Sequence, residues 1–526
     1  MSEHPPFAMR TSTESTTLTR PVRASSPDVS PQPSMAHDRS HRITECRIVG
    51  GIALAVLALH LATNALYGFQ RDELYYLDSA RHLAWGFVDY PPVTPAIGRL
   101  SLLLFGPTNV WGLRLWPSLA GAVMVVLSAQ IAYELGGGRT ARILAAIAAG
   151  ASPVLLGANW LFQTVTFDQL TWLVCVWVTA RLVRTGDRRL WLALGAAVGI
   201  GLETKYTIVA LIAGLMVAVA VTPLRRHLRT PWPWLGLSVA GLIILPNVVW
   251  QIANGWPSVA FTLAHPVAQS GDFGPLSFLS EQLALIGPLA IPLWVAGFSW
   301  LLSGRGRALG VAAVVAFVVF LLVGKGYYIG PLHPVLLAAG ACAVESWTQQ
   351  RRRWLRTTTA VALVVQAVML APIAIPLFPE SIMARSALPS IRTDFADTVG
   401  WQDLVAQVAA LFDRMPASER SRTVILTDNY GEAGAVNAYG KAIGLPTAVS
   451  GELTYYYWKP ARMSGPVIAV GIDVGFLSTL FNDCATVGTV SNSYGLNNQE
   501  FGAPIVVCAQ RKLPLDQLWP RLKSFE

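Results

Sequence analysis

Charged residues are scarce in this sequence, and their scarcity excludes an ordinary soluble domain. Asp, Glu, Lys and Arg make up 13% of the 526 residues, whereas a soluble globular protein has about 25%. Hydrophobic residues make up 53%, and the 18 Trp and 34 Pro suit membrane interfaces and interrupted helices. We therefore predict a polytopic α-helical membrane protein.

Several motifs are also missing. The sequence has no Gly-rich nucleotide-binding fingerprint, no Cys/His spacing typical of a zinc site, and no Asp-x-Asp motif within residues 70–92. Cysteines number only five, and Cys484 and Cys508 fall in a part of the chain expected to face an oxidising compartment. Two isolated thiols do not fix a geometry, so a disulfide between them stays open.

The apolar runs predict about eleven transmembrane helices, since a span needs about 20 largely apolar residues. Residues 1–45 are rich in Ser, Thr and Pro, and we expect a disordered cytoplasmic tail without a cleavable signal peptide. Residues 91–106 are short and Pro-rich, which favours an interfacial or re-entrant segment. The candidate spans lie near 48–68, 111–135, 141–161, 168–184, 190–203, 206–222, 233–252, 281–302, 308–324, 327–346 and 355–378.

The distribution of Arg predicts the orientation. The net charge of +9 comes largely from short Arg clusters in alternate connections, whereas residues 253–280 contain no Lys or Arg. Because cytoplasmic loops carry the excess of basic residues, we expect the N-terminus to lie in the cytoplasm. Residues 70–82, the 162–167 turn, Lys205, residues 324–328 and everything after 378 are then extracytoplasmic.

The composition changes near residue 380. Residues 401–415 have the pattern of an amphipathic helix, and short apolar segments alternate with helical patterns further on. We predict a transmembrane domain over 46–379 and an extracytoplasmic α/β domain over 380–526 with a mixed or parallel sheet.

The segment QRDELYYLDSARH, residues 70–82, raises the main chemical question. The pair Asp72-Glu73 follows the first apolar run directly, and it neither caps a clear helix nor aids insertion. One of the two carboxylates could act as a general base on a hydroxyl group. Asp168 is a further acidic candidate, although Asp near the start of a helix is often only a cap.

Other polar and aromatic residues are expected at the same membrane depth. Lysines there could bind a phosphate group or simply extend to the interface, and the tyrosines also fit an interfacial aromatic belt. His333 stands between prolines, where a structural role is equally reasonable, and Arg71 could bind phosphate or pair with Asp72. The candidates are Arg71, Tyr75, Tyr76, Asp89, Lys205, Tyr206, Lys325, Tyr327, Tyr328 and His333.

These motifs resemble those of a known family. RDELYYLDSARHLAWGFVDYPPVTPAIGRL is similar to the first outer loop of bacterial GT-C glycosyltransferases of family 39, relatives of the lipid A aminoarabinose transferase and of protein O-mannosyltransferases. TVTFDQLTW resembles the second acidic position of that family at Asp168, and GLETKYT and GKGYYIGPLHP resemble later segments. TDNYGEAGAV, SGELTYYYW and NNQEFGAPIVVC resemble the tail of one bacterial subgroup.

The resemblance implies a function in the bacterial plasma membrane. The donor is expected to be a sugar linked to polyprenyl phosphate, and the acceptor a hydroxyl group of a cell-envelope glycan, lipid or protein. Asp72 is expected to be the base in an inverting transfer, Glu73 to position the acceptor or shape the local field, and Asp168 to hold the sugar or acceptor. Lys205 and Lys325 would bind the lipid phosphate, and Tyr327 and Tyr328 would line the donor groove. Because a phosphate ester leaves readily, neither a metal nor another cofactor is expected.

Two other classes of function remain at this point. A transporter or flippase of lipid-linked sugars would also need an outer groove with charged residues, although no inverted repeats are visible. Alternatively, the spans are an anchor and the α/β part is a binding module, with Asp428 and Glu432 as its candidate site.

Overall fold

The computed structural model describes residues 35–264, 274–323, 326–348 and 353–525. One compact unit begins at Glu45 and contains the rest of the described chain. The first helix, α1, spans Met35–Thr63, so the expectation of disorder up to residue 45 is wrong for the part that is described. Residues 35–45 contain no Pro or Gly that would end the helix, and the helix therefore starts before the apolar run. Residues 1–34 of the predicted tail lie outside the described residues.

The described residues up to 374 are mainly helical. Each predicted span overlaps with a helix or with a pair of helices separated by a break. The helices after α1 are α2 Arg71–Arg81, α3 Val93–Phe105, α4 Val110–Glu134, α5 Arg139–Gly150, α6 Pro153–Trp160, α7 Thr164–Thr185, α8 Leu190–Leu202, α9 Ile208–Val221, α10 Trp232–Ala253, α11 Pro257–Ala264, α12 Pro275–Ile286, α13 Ile291–Leu302, α14 Arg307–Val323, α15 His333–Thr348 and α16 Arg353–Ala374.

Within the described ranges, five helices are long and apolar enough to cross a membrane, or up to eight spans if each of three bent helix pairs counts as one. A multi-pass membrane protein is thus supported, whereas the number of eleven spans stays a prediction. Two runs expected to be single spans are interrupted. The α5–α6 pair bends by 52° before Pro153, and the run over 281–302 bends by 92° at Gly287 and Pro288. Proline lacks a backbone N–H and ends the preceding helix, which explains both breaks.

Glycine allows close helix pairs in this part of the chain. A Cβ atom on Gly195 of α8 would lie 2.0 Å from the carbonyl oxygen of Gly236 on α10. Likewise, a Cβ atom on Gly340 of α15 would lie 2.0 Å from the carbonyl oxygen of Leu293 on α13. Small residues let helix backbones approach, and close packing is the main source of helix association in a bilayer.

The C-terminal residues contain a five-stranded sheet. Its five strands have the order β2-β1-β3-β5-β4, with β1 parallel to β2 and β3, and with β5 antiparallel to β3 and β4. Strand β2 is only two residues long. Cys484 and Cys508 form a disulfide between the start of β4 and the end of β5. The elements are α17 Glu380–Met383, α18 Leu388–Ile391, α19 Thr393–Ala396, α20 Trp401–Arg414, α21 Ala417–Arg420, β1 Val424–Thr427, α22 Tyr430–Tyr439, β2 Val449–Ser450, β3 Val467–Val470, α23 Val474–Leu480, β4 Ala485–Thr489, β5 Pro504–Cys508 and α24 Leu515–Leu518.

Candidate active site

The acidic pair Asp72-Glu73 lies in the first turn of helix α2. Gln70 caps this helix, because its side chain accepts a hydrogen bond from the backbone N–H of Asp72 at 2.8 Å. The carboxylate of Glu73 in turn accepts from the backbone N–H of Gln70 at 2.8 Å, which completes a capping box. The expectation that the acidic pair caps no helix is therefore wrong.

Glu73 is held by contacts within the protein. Its two carboxylate oxygens accept hydrogen bonds from Nε and Nη2 of Arg114 at 2.8 and 2.7 Å. One of them also accepts from the backbone N–H of Phe162 at 2.9 Å. Both Glu73 and Arg114 are fully buried, and the predicted role of Glu73 in positioning the acceptor or shaping the local field stays a prediction.

Arg71 and Tyr75 are also occupied by contacts within the protein. Arg71 donates to the side chain of Gln499 and lies 3.7 Å from the carboxylate of Glu500, so it faces the C-terminal residues. The hydroxyl of Tyr75 donates to Asp89 at 2.9 Å and contacts the Thr454 hydroxyl at 2.6 Å. Tyr75 is 2% exposed. The roles predicted for Arg71 and Tyr75 in substrate binding stay predictions.

Asp72 has a different environment from its neighbour. Its side chain is half-buried, and its Oδ1 accepts a hydrogen bond from the hydroxyl of Tyr430 at 2.8 Å. Burial raises the pKa of Asp72, while the Tyr430 hydrogen bond and the positive charges of Arg71 and Lys205 act against that shift. A carboxylate whose pKa is raised towards neutrality is well suited to general base catalysis.

Lys205 brings the predicted acidic residues into one group. Its charge acts on the carboxylates of Asp72, Asp89 and Asp168, which come from three separate elements. Burial raises the pKa of Asp89 to about 7, and the hydrogen bond from Tyr75 opposes this shift. Asp168 lies in the second turn of α7 and accepts from the hydroxyl of Thr207 at 2.8 Å, so it is not the helix cap.

Two aromatic rings accompany this charged group. The Nζ atom of Lys205 lies 5.4 and 5.2 Å from the ring centres of Tyr327 and Tyr328. Such cation–π contacts hold an ammonium group close to a ring face. The two rings pack edge to face with centres 4.8 Å apart. The sequence analysis places Lys205, Tyr327 and Tyr328 in one candidate site, and their roles there stay a prediction.

A cavity of about 630 Å³ opens beside Asp72 and Tyr327. Most of its wall is apolar and comes from α6, α12 and α16, including Val154, Leu285 and Leu370. Arg392 also lines the cavity, but it donates to Asp394 at 2.9 Å and to the carbonyl of Gly157 at 3.0 Å. The arrangement thus combines a carboxylate with an apolar chamber between helices.

Other predicted site residues lie elsewhere or are not described. The hydroxyl of Tyr206 donates to Asn247 on α10 at 3.1 Å. His333 is fully buried, and its Nδ1 accepts from the indole N–H of Trp294 at 3.1 Å; its phosphate-binding role stays a prediction. Lys325 lies outside the described residues.

The C-terminal residues contribute Tyr430, which the sequence did not indicate. The candidate site proposed there for a binding module is instead structural. Glu432 forms a capping box with Asn429 at the start of α22, and its carboxylate also accepts from the backbone N–H of Asp428 at 3.1 Å. This contact removes the main reason to place a separate site at Asp428 and Glu432.

Similar solved structures define the class of fold. ArnT from Cupriavidus metallidurans, bound to undecaprenyl phosphate, matches with a TM-score of 0.58 and 16% sequence identity. The match covers 87% of this chain and 97% of that chain. The same protein in the apo state matches with a TM-score of 0.57 and 17% identity, over 89% of this chain and 98% of that chain. The protein therefore has the fold of a GT-C membrane glycosyltransferase.

Sequence comparisons agree with this class. Residues 89–250 match the family described as dolichyl-phosphate-mannose-protein mannosyltransferase. The lipid A galacturonosyltransferase RgtD of Rhizobium johnstonii is 22% identical over 254 residues, which are 45% of this chain and 51% of that protein. The chain thus spans about half the length of this relative. Together with the fold, these matches confirm the predicted resemblance to GT-C glycosyltransferases of family 39.

Proposed function

We propose that this protein transfers a hexosyl or pentosyl group from a polyprenyl-phosphate donor to a hydroxyl group of a cell-envelope glycan, lipid or protein. The observation that carries the proposal is the position of Asp72 beside the apolar cavity of about 630 Å³ between helices. An apolar chamber suits a lipid chain, and an adjacent carboxylate suits removal of a proton from the acceptor. The match to a structure of ArnT bound to undecaprenyl phosphate supports the same class of donor.

In the proposed reaction Asp72 is the general base. Its carboxylate takes the proton of the acceptor hydroxyl as the acceptor oxygen attacks the anomeric carbon of the sugar. The bond between that carbon and the phosphate oxygen breaks on the opposite face, so the configuration inverts. The lipid phosphate leaves with the electron pair, and Asp72 later releases its proton to water.

The other residues of the group assist this transfer. Lys205 would neutralise the leaving phosphate, because a charge-assisted contact is about twice as strong as a neutral one. Tyr327 would line the path of the donor, since it borders the cavity together with Asp72. Asp168 and Asp89 would hold the sugar or the acceptor near Lys205. We further propose that this site and residues 380–526 lie outside the bacterial plasma membrane, as the Arg-rich alternate connections favour.

Transfer of radiolabel tests the proposal directly. Membranes that contain the wild type, Asp72→Asn or Asp413→Asn are incubated with polyprenyl-phosphate sugars, and label is followed into envelope fractions. Asp413 is a surface residue whose side chain is 69% exposed, so its variant controls for a carboxylate lost elsewhere. We expect transfer by the wild type and the control, and a loss of about 10²–10⁴-fold in Asp72→Asn.

Two results would contradict the proposal. Full activity of Asp72→Asn would exclude Asp72 as the base and leave Asp168 as the next candidate. Movement of the lipid-linked sugar across the membrane without release of the sugar would instead favour a flippase.

A further inference from the structure

The start of helix α22 packs closely against the start of helix α2. A Cβ atom on Gly431 would lie 2.6 Å from Cγ of Arg71, and one on Gly434 would lie 2.7 Å from Cβ of Leu74. Only glycine fits at these two positions with the present spacing. The contact brings the first residue of α22, Tyr430, next to the first turn of α2.

Tyr430 is fixed by contacts other than its bond to Asp72. Its ring stacks on the ring of Tyr75 with centres 4.9 Å apart, and the guanidinium group of Arg71 lies 4.7 Å from its centre. Its backbone N–H donates to the carboxylate of Glu452 at 2.5 Å. Because these contacts hold the ring, the hydroxyl reaches Oδ1 of Asp72 in a defined direction, at 2.8 Å.

We propose that Tyr430 is a positioning residue for Asp72, which it orients through Oδ1 so that Oδ2 meets the acceptor hydroxyl. This inference rests on the proposed function, in which Asp72 is the base. The C-terminal residues would then complete the active site instead of forming a separate module. The hydrogen bond would also set the proton affinity of the base, because a donor to a carboxylate favours its charged form.

Tyr430 is one of several charged and polar groups that act on the pKa of Asp72. Arg71 and Lys205 favour the charged form of Asp72, and nearby carboxylates disfavour it. These groups lie in α2, in the α2–α3 and α8–α9 connections, and in the segment before α15. Two further groups are Asp394 in α19 and Asp397, the residue that follows α19. The titratable groups that face Asp72 are Arg71, Tyr76, Asp89, Lys205, Tyr327, Asp394, Asp397 and Tyr430.

The change Tyr430→Phe removes only the hydroxyl and keeps the ring contacts. The matched control is Tyr455→Phe, because Tyr455 donates in the same way to another α2 carboxylate, Asp78, at 2.5 Å. In the pH profile of kcat/KM, we expect the acid limb of Tyr430→Phe to move upward by about one pH unit. The profile of Tyr455→Phe should overlay that of the wild type. In an Asp72→Asn background, Tyr430→Phe should have no further effect on the residual rate.

A second readout does not depend on turnover. Carbodiimide reacts with protonated carboxyl groups, so the labelling of Asp72 with an amine, measured by peptide mass spectrometry across pH, follows its protonation. We expect the midpoint in the full-length protein to be higher in Tyr430→Phe than in the wild type and in Tyr455→Phe. An unchanged midpoint, or an unchanged pH profile, would overturn the inference. If the wild type transfers no sugar but the midpoint still moves, the proposed function fails and the control of Asp72 by Tyr430 stands.

Discussion

Arg114 of α4 binds both carboxylate oxygens of Glu73 in α2, with distances of 2.8 and 2.7 Å, and both side chains are fully buried. The same guanidinium group donates to the carbonyl oxygens of Asn64 and Gly68 at 2.8 and 2.7 Å. One ion pair therefore connects the end of α1, the start of α2 and helix α4. Because Asp72 is the residue before Glu73, this network also fixes the backbone of the proposed base.

The first prediction concerns the loss of this ion pair. Glu73→Gln keeps the size of the side chain but leaves the Arg114 charge buried without its counter-ion. Breaking one partner of a buried pair costs about 3–5 kcal/mol. We expect a clearly lower unfolding temperature for the purified protein in detergent, measured by thermal unfolding, with Asp413→Asn as the surface control. Unfolding of Glu73→Gln at the wild-type temperature would contradict the structural role assigned to this residue.

The second prediction concerns the width of the apolar cavity. Leu370 of α16 lines the cavity, whereas Val368 of the same helix is 71% exposed and does not line it. Leu370→Trp should raise KM for a long-chain polyprenyl-phosphate sugar, because the larger side chain fills space needed by the lipid. A short-chain donor analogue should be affected much less. Val368→Trp is the matched control, and equal effects of both variants on the two donors would contradict a lipid site in this cavity.

The third prediction concerns the charge of Lys205. Lys205→Met should raise KM for the donor by about 10–100-fold, since a hydrogen bond to a charged group contributes about 1.5–3 kcal/mol. Lys205→Arg keeps the charge and should recover part of the loss. Because Lys205 also lowers the pKa of Asp72, the acid limb of the kcat/KM profile should move upward in Lys205→Met. Steady-state kinetics with labelled donor would measure both effects, and an unchanged KM in Lys205→Met would argue against phosphate binding.

The fourth prediction concerns the dependence of stability on pH. Burial raises the pKa of Asp89 from 3.8 to about 7, so the folded protein binds a proton that the unfolded chain has released. Asp89 therefore contributes fully to stability below pH 3.8, and its contribution falls as the pH rises from 3.8 to about 7. Asp89→Asn should flatten the decrease, because Asn stays neutral. Unfolding temperatures of both proteins across this pH range would test the prediction, and parallel curves would contradict it.

Sequence patterns predicted the helices well, because the length of an apolar run determines whether it can form a spanning helix. The same patterns did not predict where a helix is interrupted. The run over 281–302 contains Pro288 after Gly287, and two such residues together allow a 92° bend that hydrophobicity alone does not reveal. Helix α2 was also missed, although Gln70 followed by Glu73 has the spacing of a capping box.

Recognisable motifs in the sequence indicated Asp72, Lys205 and Tyr327, which the structure brings close together. The contacts of a side chain could not be predicted where its partner is remote in the sequence. Nothing near Glu73 in the sequence indicates Arg114, which is 41 residues away. Tyr430 is 358 residues from Asp72, and a single sequence contains no signal that pairs them.

The close contact of Gly431 and Gly434 with α2 has a consequence for protein engineering. A chimera that takes its membrane part from one homologue and its C-terminal part from another would join an α2 and an α22 shaped for different neighbours. Even a modest side chain in place of either glycine would hold the two helices apart. Exchange of the C-terminal part between such proteins therefore needs both helices to be transferred as a pair.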